Sequence, residues 1–215
     1  MKSRQALREQ IVALLKEENF PALVELAGRE PGVATTLLQF FYDPEDLLQW
    51  RALEGLGEVV ETYPAQAQKI IGRLLWLLNE DSGSFGWGAA AALGEIARRQ
   101  LSLVKEIVPM FYGFLEHAFS RGSMLWGLGR MGEAHPEMLA ETLPLIEAAL
   151  GDPDPQVRVW AAWCLGKARV AEAAPKLRAL LQDGSPAKIY HRGELRRTTV
   201  GRVIQEVLDS LKESG

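Results

Sequence analysis

The sequence predicts an all-α chain: a right-handed solenoid of about five stacked helix pairs, with a short β-hairpin near 188–197 before the C-terminal helix. Three independent markers predict it. Glycines recur at Gly57, Gly94, Gly132, Gly166 and Gly201, at intervals of 37, 38, 34 and 35 residues. That is the length of a helix–turn–helix unit. Aspartates Asp43, Asp81, Asp152 and Asp183 stand ahead of the units, although the one starting at Ala118 lacks its own. Prolines Pro109, Pro144 and Pro175 each precede by two residues an apolar position, Phe111, Ile146 or Leu177.

The clearest unit runs from Asp152 to Asp183, DPDPQVRVWAAWCLGKARVAEAAPKLRALLQD. Its first helix carries Val157, Ala161, Ala162, Leu165 and Ala168 on one face, and Gly166 admits a close neighbour. Its second helix buries Leu177, Leu180 and Leu181. Pro175 sits in the first turn, where a missing N–H costs little. This pattern, D-x-D-P-x-V-R-x-x-A-A-x-A-L-G followed by a leucine-rich helix, resembles the HEAT-like repeat of the phycobilisome-lyase type. The resemblance covers residues 43–183 and implies a stacked helical scaffold. It does not in itself imply bilin attachment.

Taken in order, residues 1–42 form a divergent N-terminal cap, with helices at about 2–17, 19–29 and 32–42. Asn19 before Phe20-Pro21 supplies an N-cap and a first-turn proline. Repeats follow at about 43–80, 81–117, 118–151 and 152–183. Their helices are expected at about 44–62, 64–79, 84–99, 101–116, 121–134, 136–150, 154–169 and 171–182. Residues 184–215 form a C-terminal cap. There Lys188-Ile189-Tyr190 and Leu195-Arg196-Arg197 flank a turn at Arg192-Gly193, and a last helix starts at Val200 behind Thr199. So small a hairpin must lean on the helix pair before it.

With 215 residues, 47% of them hydrophobic, the chain can bury a core as one domain. A net charge of −4 argues against a general affinity for nucleic acid or anionic membranes. One cysteine, Cys164, excludes an internal disulfide and fits a reducing compartment. The first twenty residues read as a charged amphipathic helix rather than a signal peptide. No apolar run reaches the roughly 20 residues of a membrane span. A cytoplasmic protein is expected.

No reaction is legible. The histidines His117, His135 and His191 are scattered, and Glu133, His135 and Glu137 beside Glu116-His117 fall short of a convergent ligand set. The dinuclear iron site of deoxyhypusine hydroxylase, on a similar scaffold, uses repeated His-Glu pairs, and this chain has no His-Glu dipeptide. Cys164 lacks an adjacent histidine and reads as a buried, inert thiol. Gly127, Gly129 and Gly132 spell G-x-G-x-x-G in a helical context, without the strand that a dinucleotide site requires. No catalytic residue, metal or cofactor is implied, and the chain is expected not to be an enzyme.

Three surfaces remain as candidates for a partner. In a HEAT-like array the second helices line the concave side, which nominates Lys69, Arg73, Trp76, Tyr112, Glu147, Lys176 and Arg178 as a mixed-charge groove with aromatic anchors. The second is a tryptophan stripe. Trp50 and Trp87 precede their anchor glycines by seven residues, Trp126 and Trp160 by six, and Trp163 lies one turn beyond Trp160. The repeat pattern leaves those positions outside the core, as hot-spot residues would be. The competing reading is packing between neighbouring first helices. The third is the hairpin, where Arg192, Arg196 and Arg197, with Lys188 and Arg202 against Glu194, give a local charge of +4. That could mark an acidic partner, a phosphate or an RNA end, or merely an edge guarded by charge. The expectation is a scaffold for a protein or peptide on the concave face, monomeric or weakly dimeric, with no membrane partner. The alternative is nucleic-acid or phosphate binding through the basic hairpin.

Overall fold

A computed structural model describes residues 3–79 and 87–213, excluding the side chains of residues 79, 87 and 213. Asp81 and Gly86 lie outside the described residues. The chain forms two compact units, Met1–Lys105 and Glu106–Gly215. The first holds α1 (Arg4–Lys16), α2 (Phe20–Arg29), α3 (Val33–Leu37), α4 (Leu47–Thr62), α5 (Ala67–Asn79) and α6 (Trp87–Arg99). The second holds α7 (Phe111–Glu116), α8 (Ala118–Ala134), α9 (Leu143–Ala148), α10 (Pro155–Lys167) and α11 (Ala174–Arg178). Then come β1 (Pro186–His191), β2 (Glu194–Thr199) and α12 (Val200–Glu213).

Helix starts follow the capping chemistry of the sequence. Ser3, Asn19, Asp46 and Asp154 each accept a hydrogen bond from a first-turn backbone N–H, of Ala6, Ala22, Leu48 and Gln156 respectively, at 2.8–3.1 Å. In the first unit α4 packs on α6, and in the second α10 lies between α8 and α12. The anchor glycines allow these approaches. A Cβ at Gly57 would lie 2.8 Å from Glu95 Cγ, and one at Gly166 would lie 2.9 Å from Val207.

The second helices depart from expectation. Instead of continuous helices over 101–116, 136–150 and 171–182, the chain forms short α-helices bracketed by 3-10 turns. These turns are Leu101–Leu103 and Lys105–Met110 before α7, Pro136–Leu139 before α9, and Ala171–Ala173 before α11. The prolines that mark the repeat sit at these starts. Pro109 lies within the 3-10 turn before α7, and Pro144 and Pro175 are the second residues of α9 and α11, where a missing N–H costs little. The N-terminal segment at 32–42 likewise reduces to α3 and the 3-10 turn Leu38–Phe40.

The hairpin forms, longer than expected by two residues at each end. Lys188 pairs with Arg197 and Tyr190 with Leu195, and Arg192 and Gly193 have φ of 51° and 78°. Two consecutive positive φ values make the tight two-residue turn whose twist suits a hairpin. The Gln156 side chain donates to the Lys188 carbonyl at 2.7 Å and accepts from its N–H at 2.9 Å. It thereby replaces the hydrogen bonds of a missing third strand. Ile189 and Tyr190, on opposite faces of β1, are both buried, so the hairpin is inserted into the unit rather than laid over it. At its far end the Gly201 N–H donates to the Asp183 carbonyl and the Val200 N–H to that of Ser185.

One ion-pair arrangement recurs. Arg121 bonds the carbonyls of Leu115 and Glu116 and the carboxylate of Asp152. Arg158 bonds the carbonyls of Asp152 and Pro153 and the carboxylate of Asp183. Arg51 reaches the carbonyls of Leu15 and Lys16. Asp152 and Asp183 also each accept the N–H two residues on, of Asp154 and Ser185, at 2.9 Å. Hydrogen bonds from Ser185, with Arg158 beside them, hold the Asp183 carboxyl below its usual range against a partial desolvation penalty.

Two outcomes are expected. Gly201→Ala places a Cβ 2.4 Å from the Leu181 carbonyl oxygen, and should cost about 2 kcal/mol in urea unfolding. Asp183→Asn should be less stable than wild type at pH 7. Because the folded-state pKa is depressed, that difference should shrink as pH falls from about 4, the unfolded carboxyl value, through the lower folded one. Denaturant midpoints measured from pH 7 to 2.5 check this.

Candidate functional site

The tryptophan stripe is not a surface. Trp50, Trp126, Trp160 and Trp163 are 3%, 0%, 3% and 5% exposed, while the Trp87 side chain lies outside the described residues. In the first unit Trp50 Nε1 donates to the Pro44 carbonyl at 3.0 Å. In the second, Trp126 of α8 stacks on Trp163 of α10, with centroids 6.2 Å apart and planes 2° from parallel. Trp160 meets Trp163 edge-on at 5.8 Å, and Tyr190 of β1 approaches Trp126 at 6.5 Å. Positions that the repeat pattern leaves free are thus filled by inter-repeat aromatic packing, with Tyr190 closing the cluster. Gly129 is part of the same joint, since a Cβ there would lie 2.5 Å from the Trp163 ring. The G-x-G-x-x-G run therefore serves helix packing inside α8.

The groove candidates fall in both units. In the first, Lys69, Arg73 and Trp76 lie at i, i+4 and i+7 on one exposed face of α5, with Ile70, Leu74 and Leu77 buried on the adjoining face. Trp76 is 54% exposed. In the second unit the structure joins Glu147 to Lys176 through a 2.6 Å ion pair between α9 and α11. Half-buried Tyr112 donates its hydroxyl to Glu141 at 3.2 Å, and Arg178 is exposed.

The basic hairpin is less basic than its sequence. Arg196 pairs with Glu206 of α12, which Arg202 also approaches at 3.7 Å. Arg192 and Arg197 are exposed. Sequence spacing misses Glu206 as a partner because it lies ten residues beyond Arg196 and meets it only through the turn into α12.

Two cavities stand out in the second unit. One, of about 360 Å³, is lined by Leu115, Leu145 and Ala148 and by the mutually paired Arg121 and Asp152. The other, of about 550 Å³, opens between the end of α10, the hairpin and α12. Trp163, Ile189, Val203 and Val207 supply apolar surface. Lys167, His191 and Arg192 bring basic groups to it, and Glu206 and Asp209 bring acids. Burial, then the positive charges of Lys167, Arg192 and Arg196, push the His191 imidazole below its ordinary pKa against the opposing pull of Glu206. Sequence reasoning set His191 aside as an isolated histidine. The residues that surround it come from three elements, so no local spacing could have gathered them.

Cys164 is fully buried, and desolvation raises its thiol pKa well above the ordinary value, which makes it unreactive. His135 lies 3.9 Å from Glu137. Among the described residues, no group of three or more His, Cys, Asp or Glu side chains could hold a metal ion. Among the described residues, too, no helix is long and apolar enough to cross a membrane.

Comparison with known proteins agrees with this architecture. Residues 119–192 match the family described as HEAT repeats. That stretch is HEAT-like. A curated relative, an uncharacterized protein of Archaeoglobus fulgidus, is 31% identical over 98 residues, which is 45% of this chain and 52% of the relative. The chain thus spans about half the length of that relative. Among solved structures, an engineered protein superposes with a TM-score of 0.53 at 18% identity, covering 97% of each chain. A designed armadillo repeat protein gives 0.49 at 17% identity, over 98% of this chain and 95% of that one. The fold is a helical repeat array whose last unit carries a hairpin.

The contrast between buried and exposed tryptophans is measurable. Trp126→Ala should cost about 4 kcal/mol in denaturant unfolding. Trp76→Ala should stay within about 0.5 kcal/mol of wild type.

Proposed function

We propose that this chain is a non-catalytic scaffold that binds a protein or peptide segment, with the exposed face of α5 as one anchor. HEAT-like arrays typically act this way, and the reading rests on Trp76. Among the described residues it is the largest of the exposed apolar side chains, alongside Tyr42, Met110 and Phe119. It shares its face with the cations Lys69 and Arg73. An aromatic ring half in water beside basic residues offers apolar area and charge together, the combination that dominates binding hot spots. Tyr112, Glu147, Lys176 and Arg178 extend the proposal to the second unit, where Glu147 and Lys176 would have to exchange their mutual ion pair for contacts with a partner. A reducing cytoplasmic setting suits the single buried thiol.

Nucleic-acid binding through Arg192, Arg196 and Arg197 is the weaker reading. Glu206 occupies Arg196 and sets a carboxylate beside the patch, where it would repel a phosphate backbone.

Affinity capture with the full chain from the native host's lysate tests the scaffold. A discrete protein retained by wild type and lost with Trp76→Ala supports it. A partner unaffected by Trp76→Ala moves the anchor away from α5, and recovery of nucleic acid instead of protein rejects the reading. Trp76→Ala should leave the unfolding midpoint unchanged, so loss of capture would report the surface and not the fold.

A further inference from the structure

The cleft between α10, the hairpin and α12 has features that a scaffold of packed repeats does not require. Its volume of about 550 Å³ falls within the range of ligand-binding clefts. It is too small for a helix but suited to two or three residues of extended peptide. Its apolar surface includes the edge of Trp163, the ring that contacts both Trp126 and Trp160, with Lys167 Nζ 5.5 Å from the ring centroid.

Charge is distributed unevenly around the cleft. On the hairpin and α10 side stand Lys167, His191 and Arg192, with Arg196 close enough to act on the imidazole. Lys167 is partly neutralised by Glu133 at 2.8 Å, and Arg196 by Glu206. Glu194 faces His191 across the strand pair. On the α12 side, Glu206 is held by Arg196 and Arg202, and Asp209 by Gln205 and Lys212. The acids are therefore engaged. Arg192 projects from the exposed turn, and Lys167, Arg192 and Arg196 each act on the half-buried imidazole more strongly than Glu206 does. A single anion placed there would be attracted.

We propose that this cleft binds an acidic peptide segment. One carboxylate would sit among Lys167, His191 and Arg192, and a neighbouring apolar side chain would rest on Trp163, Ile189 and Val207. The acids of α12 decide between anions. A nucleic acid carries a charge at every residue and would drive some of them against Glu206 and Asp209, whereas a peptide can present one carboxylate to the basic side and nothing charged to the other. This inference rests on the scaffold reading and adds to it a partner chemistry and a second location, remote in sequence from Trp76.

Histidine NMR on the full chain tests it, with His191→Gln assigning the His191 signal among the three histidines. The probes are N-acetyl-Leu-Glu-amide, N-acetyl-Leu-Gln-amide, inorganic phosphate and a short single-stranded DNA. The Leu-Glu probe should shift the His191 resonances saturably and raise the His191 pKa, because a bound carboxylate favours the imidazolium. The Leu-Gln probe should do neither. Arg192→Asn keeps a residue that tolerates the positive φ of the turn, and should weaken Leu-Glu binding about threefold. Lys167→Gln should act in the same direction. Equal responses to Leu-Glu and Leu-Gln, or no response to either, would overturn the proposal. So would a stronger response to phosphate or DNA than to the acidic peptide. Protein capture dependent on Trp76 alongside a silent His191 would reject the cleft and leave the scaffold standing. No protein captured by the wild-type chain, alongside an intact Leu-Glu response, would do the reverse.

Discussion

In both units an arginine from a first helix reaches back to the carbonyls that close an earlier helix. Arg51 does this to Leu15 and Lys16 and Arg121 to Leu115 and Glu116, while Arg158 bonds Asp152 and Pro153 in the loop that follows a 3-10 turn. A helix end leaves carbonyls without intrahelical partners, and a guanidinium can satisfy two at once while turning its remaining donors to a carboxylate. In the second unit that carboxylate is the aspartate opening the next repeat, Asp152 for Arg121 and Asp183 for Arg158. Each arginine thus joins three consecutive pieces of chain. Because the second helices of that unit, α7, α9 and α11, are only five or six residues long, they have little internal cooperativity. These cross-links, with the apolar packing of α8, α10 and α12, hold them in place.

The first unit carries a second knot of this kind. Glu95 is fully buried against Gly57 and bonded by Arg98 and Arg99. Arg99 also pairs with Glu58 and Glu61 of α4. Burial alone would disfavour the Arg99 charge. The hydrogen bonds and charges of Glu61, Glu95 and Glu58 outweigh that and raise its pKa above the ordinary value. The position after each anchor glycine is charged in this chain: Glu58, Glu95, Glu133, Lys167 and Arg202. In the second unit Lys167 and Glu133 pair at 2.8 Å. The anchor glycines allow close approach, and Glu58 with Arg99, and Glu133 with Lys167, supply polar links between neighbouring repeats.

The hairpin replaces what would otherwise be another first helix. Its backbone is completed by Gln156, its faces are covered by Trp126 on one side and the α12 region on the other, and its exit is fixed by carbonyls of Asp183 and Ser185. A strand pair fills less depth than a helix. The unit is left with a cleft at the end of α10, where basic, acidic and aromatic side chains from three elements meet.

The sequence by itself determined the repeat, the first helices with their caps, the close-packing glycines and the hairpin turn at Arg192-Gly193. All of these are local or periodic: a cap reads three residues, a turn two, and a glycine register survives loop variation. Only the tertiary structure decided which periodic surface stays in water. Trp126 and Trp163 occupy positions that spacing marks as outside the core, yet stacked first helices bury both sides of α10, and Tyr190 covers what remains. Likewise Arg196 counts as free positive charge until α12 brings Glu206 to it, and His191 counts as solitary until three elements converge around it. Burial and charge depend on neighbours distant in the chain, so they become definite only when the repeats stack.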